Sequence, residues 1–219
     1  MPQVTLVPAN TPVAIGNLFL IGRNYIADPQ ARRQASAGNP VVTLKPTSAV
    51  IVEGEDIVLP AFSNRVHFEI ELTVLIGRGG KNIDEARALE HVAGYGVGLD
   101  LTANDLHEQA KQQGLPWTLC KGFDTAAPLS AFVDAGRVPD PQHAPFRLEV
   151  NGTLRQQGNA ADMVFGIARI VSYLSQAFHL QHGDIIYTGT PAGAGPLARG
   201  DRLRMDYHDG LISAEFRVA

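Results

Sequence analysis

Cysteine is nearly absent from the 219-residue sequence, which contains only Cys120. A single cysteine excludes a framework of intramolecular disulfides. The sequence also lacks any block of lysine and arginine, and its formal net charge of -4 disfavours nucleic acid as a partner. It has no run of the roughly 18 apolar residues that a membrane-spanning helix needs, and its N-terminus lacks the features of a signal peptide. These absences predict a soluble, cytoplasmic protein that binds neither nucleic acid nor a membrane.

The composition favours a compact, strand-rich fold. Hydrophobic residues make up 45% of the chain, enough to build one sizeable core, and we expect a single domain over residues 1–219. The 22 glycines and 14 prolines separate many short apolar runs. This punctuation is typical of a mainly β protein with a few helices, the α+β class.

The stretch from Val66 to Gly77 has the alternation of one long strand. Its apolar residues share one face, which we expect to pack in the core, while Glu69 and Glu71 share the opposite, solvent-exposed face. Their Cβ atoms lie roughly 7 Å apart on such a strand, so both carboxylates can reach one cation. Two glutamates on a wet face remain the simpler interpretation of this stretch alone.

Asp100 is the one charged residue in the apolar, glycine-spaced run 95–101, which predicts a buried strand. A carboxylate there is costly unless it is paired or bound to a cation. Asp100 is alternatively the cap of the helix that follows, but Thr102 begins a capping sequence of its own. With Thr102 as the expected cap, Asp100 is free to be a ligand.

Three further helices are expected. Asp28-Pro29 predicts the start of a short polar helix, and its weak anchoring suits either an active-site lid over residues 24–38 or an inert surface helix. A second helix is expected from about Asn82 to Gly94, and the longest one from Asn159 to Phe178. The strand and glycine-rich loop over residues 183–195 suit a ligand's close approach, although a plain turn explains them equally well.

Several phrases of the sequence occur together, in order, in one known family. They are Gly22-Arg23-Asn24-Tyr25, Lys45-Pro46, His67-Phe68-Glu69-Ile70-Glu71-Leu72, Gly94-Tyr95-Gly96 through Asp100, Lys121-Gly122-Phe123-Asp124, Val150-Asn151-Gly152, Gly183-Asp184 and Thr188-Gly189-Thr190-Pro191. From about residue 17 onward the chain therefore resembles the fumarylacetoacetate hydrolase family, in its short acylpyruvase-like form, with residues 1–16 as an N-terminal extension. The resemblance implies a mixed β-sandwich roll and a homodimer.

The resemblance also implies a site. Glu69, Glu71 and Asp100 match the ligands of a divalent cation, and an all-oxygen set suits Mg²⁺ or Mn²⁺, with Ca²⁺ as a further option. Lys121 would stabilise an oxyanion of a 2,4-dioxo acid substrate, whereas its sequence context alone suggests a surface lysine. The substrate-binding residues would be Arg23, Asn24, Asn104, Gly189 and Thr190.

The chain departs from the family pattern at four positions. Many members carry a His–Glu pair that activates the attacking water or assists proton transfer, where this chain has Asp28 and Ala31. Asn104 replaces an arginine that helps to bind substrate, and His107 replaces a glutamine. Asp28 and His107 are therefore candidate catalytic residues, with His107 expected to titrate near neutral pH. An N-cap role for Asp28 and a solvated surface position for His107 are the alternatives.

These departures leave three functions open. The first is a metal-dependent hydrolase that cleaves a carbon–carbon bond of an acylpyruvate or a related β-dicarbonyl acid. The second is a decarboxylase or isomerase of oxo acids that uses the same site. The third is a metal-binding family member that has lost catalysis.

Overall fold

The computed structural model describes residues 2–219. This part of the chain contains seventeen strands, four α-helices and five short 3-10 helices. The predominance of strands confirms the mainly β class. The strands are β1 (Gln3–Val7), β2 (Thr11–Ala14), β3 (Leu18–Gly22), β4 (Val41–Lys45), β5 (Val50–Val52), β6 (Val66–Phe68), β7 (Ile70–Ile76), β8 (Val92–Leu99), β9 (Thr102–Ala103), β10 (Ala127–Leu129), β11 (Phe132–Asp134), β12 (Pro145–Val150), β13 (Thr153–Asn159), β14 (Ile185–Tyr187), β15 (Gly195–Pro196), β16 (Arg202–Tyr207) and β17 (Ile212–Arg217). The α-helices are α1 (Pro29–Ser36), α2 (Asn104–Gln113), α3 (Thr118–Lys121) and α4 (Ile167–Ala177).

The main sheet is mixed and has ten strands. Eight of them follow the order β2-β1-β11-β8-β7-β14-β3-β4, while β10 pairs with both β5 and β8. The β14–β3, β1–β11 and β10–β5 pairs are parallel. A four-stranded antiparallel sheet, β13-β12-β16-β17, packs against β7 and β8, and a small sheet contains β15, β6 and β9. The hairpin of β1 and β2 joins the main sheet, so residues 3–14 are part of this architecture.

The prediction of one long strand over residues 66–77 with a wet face is wrong in two respects. The chain leaves the small sheet after Phe68 and enters the main sheet at Ile70, so Glu69 lies between β6 and β7. Every residue of β7 is buried, and Glu71 is only 3% exposed. Since β7 pairs on both edges and is covered on both faces, its glutamate does not face bulk solvent.

The helices match the expectations only in part. α1 and α2 form as predicted, with Asp28 capping the first and Gly114, at φ 67°, ending the second. The helix expected up to Gly94 is a 3-10 helix over Glu85–His91, and the chain then enters β8. Asn159 caps a 3-10 turn instead of α4. Within residues 2–219, no helix has the length and apolar character required to cross a membrane.

Candidate functional site

Glu69 and Asp100 meet because the ladder between β7 and β8 continues one step past the ends of both strands. The backbone N–H of Asp100 donates to the carbonyl oxygen of Glu69 at 2.9 Å. Glu71 is paired with Gly98 in the same ladder. The fold thus brings all three predicted ligands together, with one carboxylate oxygen from each lying within 4.8 Å of the others.

Glu71 is a buried carboxylate with little compensation for its charge. In the described part of the chain, the only hydrogen bond to this carboxylate comes from the backbone N–H of Gly189, at 2.6 Å to Oε2. No lysine, arginine or histidine within residues 2–219 forms an ion pair with it. Burial, together with the nearby Asp100 and Glu69, raises the pKa of Glu71 well above its ordinary value. A bound cation would offset the free-energy cost of burying this unpaired carboxylate charge.

Lys121 is buried against two of the three carboxylates, so the surface-lysine interpretation is wrong. It ends the short helix α3, and its ammonium donates to Glu69 Oε2 at 3.0 Å, Asp100 Oδ2 at 2.5 Å and Thr102 Oγ1 at 2.7 Å. Burial lowers the pKa of Lys121, but Asp100 and Glu69 outweigh burial and hold it above its ordinary value. The ammonium therefore stays charged beside the carboxylates.

Thr102 does not cap α2, contrary to the prediction. Ala103 is the N-cap residue and makes no side-chain cap bond, while Thr102 lies in β9 and its hydroxyl accepts the bond from Lys121. The hydroxyl is thus part of the lysine's surroundings. Asp100 also has no capping role, as expected for a ligand.

Lys45 is a second buried lysine at the site, and its local sequence does not select it beyond its place in a shared phrase. Its ammonium lies 2.8 Å from Asp100 Oδ1 and donates to the carbonyl oxygens of Leu101, at 2.9 Å, and Lys121. Its side chain is completely buried. Lys45 therefore joins the Asp100 segment to the end of α3.

The residues fit a divalent cation. Three carboxylates converge, and one of them, Glu71, is buried without an ion pair. Oxygen-only donors are the set that Mg²⁺, Mn²⁺ and Ca²⁺ prefer, and three side chains leave coordination positions for water and substrate. The site therefore has the chemistry of a divalent-metal centre, although this donor set does not distinguish among the three metals.

The carboxylates open into a cavity of about 260 Å³. Its apolar wall contains Leu20, Val41 and Trp117, and its polar wall contains Lys121 and Thr190. Arg23 and Lys111 also line the cavity, and within residues 2–219 neither forms an ion pair. The cavity thus combines a metal centre with cations that are free to attract an acid.

The loop after β14 forms one border of the cavity. Gly189 has a φ of 102°, and a Cβ there would lie 2.7 Å from Asn24 Cβ, so only glycine fits. Its N–H donates to Glu71, so this donor holds a predicted metal ligand, and substrate binding by Gly189 stays a prediction. Thr190 lines the cavity, as predicted for a substrate-binding residue.

Three other predicted site residues do not face the cavity. Asn24 is 1% exposed, and its amide bonds to the backbone of Phe165 and Thr188, so it fixes the loops instead of binding substrate. The Asn104 side chain donates to Glu108 on the surface of α2. Asp28 is exposed, and its carboxylate caps α1 by accepting from Gln30 N–H at 2.9 Å. The capping interpretation of Asp28 is correct, and a catalytic role has no support from its position.

His107 lines the cavity but does not titrate near neutral pH. Its ring meets Trp117 edge to face, with 4.7 Å between ring centroids, and its Nε2 is buried with no hydrogen-bond partner among residues 2–219. Burial, followed by the charges of Lys121 and Lys111, lowers the pKa of His107 to about 4. At neutral pH the imidazole is therefore uncharged. It can form hydrogen bonds in the cavity but is not protonated.

We expect His107→Ala to leave the shape of the pH–rate profile unchanged between about pH 5.5 and 8. The wild-type imidazole is already neutral throughout that range, because it takes up a proton only near its lowered pKa. The measurement is kcat/KM against pH for both proteins. An ionisation near pH 6.5 that disappears in the variant would contradict this and restore His107 as an acid–base group.

Comparison with known proteins agrees with the fold and the site. The family model for the fumarylacetoacetate hydrolase C-terminal region matches residues 17–219. The mitochondrial oxaloacetate tautomerase FAHD1 of Mus musculus is 43% identical over 202 residues, which are 92% of this chain and 91% of that protein.

Two solved structures show the same similarity in three dimensions. Fumarylpyruvate hydrolase from Pseudomonas aeruginosa, in complex with Mn²⁺ and pyruvate, has a TM-score of 0.91 and 36% identity, over 100% of this chain and 95% of that one. The 5-carboxymethyl-2-hydroxymuconate delta-isomerase of Mycobacterium smegmatis has a TM-score of 0.85 and 35% identity, over 95% of this chain and 80% of that one. A hydrolase and an isomerase thus share this architecture, which matches the fold predicted from the resemblance.

Proposed function

Because the chain belongs to the fumarylacetoacetate hydrolase family, we propose that it is a divalent-metal-dependent enzyme that interconverts the keto and enol forms of a 2-oxo acid such as oxaloacetate. The similarity to oxaloacetate tautomerases supports the substrate class. The proposal favours proton transfer over carbon–carbon cleavage for a reason that lies in the cavity.

The observation that carries the proposal is that neither position of the water-activating pair offers an acid–base side chain to the cavity. The two positions of the water-activating pair hold Asp28, which caps a helix at the surface, and Ala31, which has no polar side chain. His107 is neutral and a weak base. Keto–enol exchange moves one proton between C3 and the 2-oxo oxygen and uses no attacking water, so it does not need the water activation that the pair supplies.

The chain's own residues account for substrate binding and charge stabilisation. A bound divalent cation supplies positive charge that polarises the 2-oxo group. We assign to the Lys121 ammonium, which lines the cavity, the stabilisation of the negative charge that develops on the enolate oxygen, and its burial makes that stabilisation stronger than in water. Thr190 donates its hydroxyl to the substrate carboxylate, while Arg23 and Lys111 attract a second acidic group at the cavity.

Carbon–carbon hydrolysis of an acylpyruvate is the second candidate. The structural similarity to fumarylpyruvate hydrolase, over the full length of this chain, favours it. An enolate stabilised at the same position is also the leaving group of that cleavage, so only the water-activating step differs. The homodimer implied by the family resemblance stays a prediction.

We expect the Mn²⁺-loaded protein to accelerate the keto–enol exchange of oxaloacetate without releasing pyruvate. The decay of enol absorbance in the ultraviolet measures the exchange, and chromatography of the products detects cleavage. Acetylpyruvate and fumarylpyruvate are tested in parallel. Release of pyruvate together with acetate or fumarate, at rates above that of the exchange, would make hydrolysis the function. No turnover of any of these acids would leave a metal-binding protein without catalysis.

A further inference from the structure

Gln156 is a buried amide that joins the metal-ligand segment to the loop after β14. It lies on β13 and is 1% exposed. Its Oε1 accepts from the backbone N–H of Ile70, the residue between the two glutamates, at 2.9 Å. Its Nε2 donates to Thr190 Oγ1 and to the carbonyl oxygen of Pro191, each at 2.9 Å. One side chain thus joins the segment that carries the two glutamates to the loop that carries Thr190.

The orientation of this amide is fixed by its backbone partners. The Ile70 N–H can only donate, so it requires the amide oxygen, and the Pro191 carbonyl can only accept, so it requires the amide nitrogen. A flipped amide would lose both of these bonds. The remaining N–H of Gln156 therefore points at the Thr190 hydroxyl as a donor.

This orientation determines where the Thr190 hydrogen goes. A hydroxyl has one hydrogen to donate and two lone pairs to accept with. Since Gln156 donates to the Thr190 oxygen, the hydroxyl hydrogen cannot be used on Gln156 and is available for another acceptor. Thr190 lines the cavity, so a group bound there is within its reach as an acceptor.

The loop is held close to β13 at one further point. Gly193 has a φ of 104°, and a Cβ on it would lie 2.4 Å from the carbonyl oxygen of Arg155 and 3.2 Å from Cγ of Gln156. The chain thus approaches the strand as closely as a glycine permits. This contact holds Thr190 within reach of the amide.

We propose that Gln156 is a positioning residue that directs the Thr190 hydroxyl, as a hydrogen-bond donor, toward the carboxylate of the bound substrate. The inference rests on the proposed function, which puts a 2-oxo acid in this cavity. Gln156 does not touch the reacting atoms, and the role proposed for it acts through the Thr190 hydroxyl. Its bond from the Ile70 N–H is a separate, structural contact, so the proposed role predicts a loss of acid binding while metal binding is kept.

The test uses oxalate as a carboxylate probe and the Mn²⁺-loaded protein. Calorimetric titration should show that Gln156→Met weakens oxalate binding by about tenfold, the loss of roughly one hydrogen bond to a charged group. Affinity for Mn²⁺ without oxalate should change by less than about twofold. Gln157→Met is the matched control, because Gln157 is the exposed neighbour on the same strand, and it should leave both affinities unchanged.

A double-mutant cycle separates positioning from a general structural role. In a Thr190→Val background the hydroxyl is absent, so Gln156→Met should cost no further oxalate affinity, whereas in a Thr190→Ser background the tenfold loss should return. Equal losses in the threonine and valine backgrounds, or an equal loss of Mn²⁺ affinity, would overturn the proposal.

If Gln156→Met does not fold, Gln156→Glu serves instead. Its side chain keeps an acceptor for the Ile70 N–H and has at most one hydrogen for the two partners that Gln156 serves. The same cycle then applies to it. Turnover of oxaloacetate is measured separately. If the cycle shows the expected coupling between Gln156 and Thr190 in oxalate binding but the protein does not turn over oxaloacetate, the proposed reaction is wrong and the role of Gln156 stands.

Discussion

Asp100→Asn is expected to abolish binding of Mn²⁺ and Mg²⁺. The substitution keeps the size of the side chain but removes the one carboxylate that two buried lysines hold in place, at 2.8 Å from Lys45 and 2.5 Å from Lys121. Two glutamates then face two ammonium groups with no charge surplus to attract a cation. Isothermal titration calorimetry of both proteins measures the loss. Unchanged affinity would remove Asp100 from the ligand set.

The same substitution should lower stability, because it leaves buried ammonium groups short of a partner. Breaking a buried ion pair from one side costs about 3–5 kcal/mol, and denaturant unfolding of the metal-free proteins measures it. Asp84→Asn is the control: Asp84 caps the 3-10 helix at Glu85–His91 from an exposed position, and asparagine caps as well. It should change stability by less than about 0.5 kcal/mol.

The destabilisation should depend on pH in one direction. Burial raises the pKa of Asp100, but Lys121 and Lys45 outweigh burial and hold it below its ordinary value. The stabilisation is therefore complete above the unfolded-state pKa of about 3.9 and is lost as the pH falls through the lower folded-state value. The difference in unfolding free energy between wild type and Asp100→Asn that comes from the titration of Asp100 should accordingly shrink in acid.

Lys121→Met is expected to reduce kcat by about 100- to 1000-fold, the typical cost of removing one preorganised group that stabilises an oxyanion. Binding of Mn²⁺ should persist or tighten, because the ammonium no longer competes for Glu69 and Asp100. Steady-state kinetics with oxaloacetate and calorimetry with Mn²⁺ measure the two effects. This separation of turnover from metal binding distinguishes Lys121 from the ligands.

Lys81→Met is the control for that experiment. Lys81 is exposed, and its ammonium bonds to the carbonyl oxygen of Gln176, away from the cavity. It should leave kcat and Mn²⁺ affinity at wild-type values. If Lys121→Met loses metal binding in proportion to turnover, the lysine organises the ligands and does not stabilise the substrate. If kcat falls less than about threefold, the assigned role of Lys121 is wrong.

The sequence predicted the ligands better than their surroundings. Two glutamates at a spacing of two residues and an aspartate in an apolar strand made Glu69, Glu71 and Asp100 candidates, the family resemblance selected them as ligands, and the structure brings their oxygens together. The expectation of a wet face for Glu71 was wrong, because the alternation of apolar and polar residues describes a single strand and not what covers its faces. The burial of both faces of β7 depends on β8, β14 and the second sheet, whose pairing comes from distant parts of the chain.

Other site residues could not be recognised for the same reason. Lys45 contacts the backbone of Lys121, 76 residues away, and Gln156 contacts Ile70 at a separation of 86 residues. Nothing in the local sequence of either residue indicates these partners. A lysine before proline and a glutamine in a polar strand are typical of a protein surface, and only the sheet topology buries them.

The departures from the family pattern required the structure for a different reason. The chain offered Asp28 and His107 as replacement acid–base groups because both residue types exchange protons. Their local positions decide against that role: Asp28 caps α1 at the surface, and burial beside two lysines keeps His107 neutral. The altered residues thus limit the reaction, while the metal centre and the fold are unaffected.

The most direct test of the central claim is a crystal structure of the protein soaked with Mn²⁺ and oxalate, with diffraction collected at the manganese absorption edge. We predict one anomalous peak bonded to Glu69, Glu71 and Asp100, with oxalate completing the coordination and one of its carboxylates within hydrogen-bond distance of Thr190 Oγ1. A manganese peak elsewhere, or none at these three carboxylates under saturating Mn²⁺, would contradict the account.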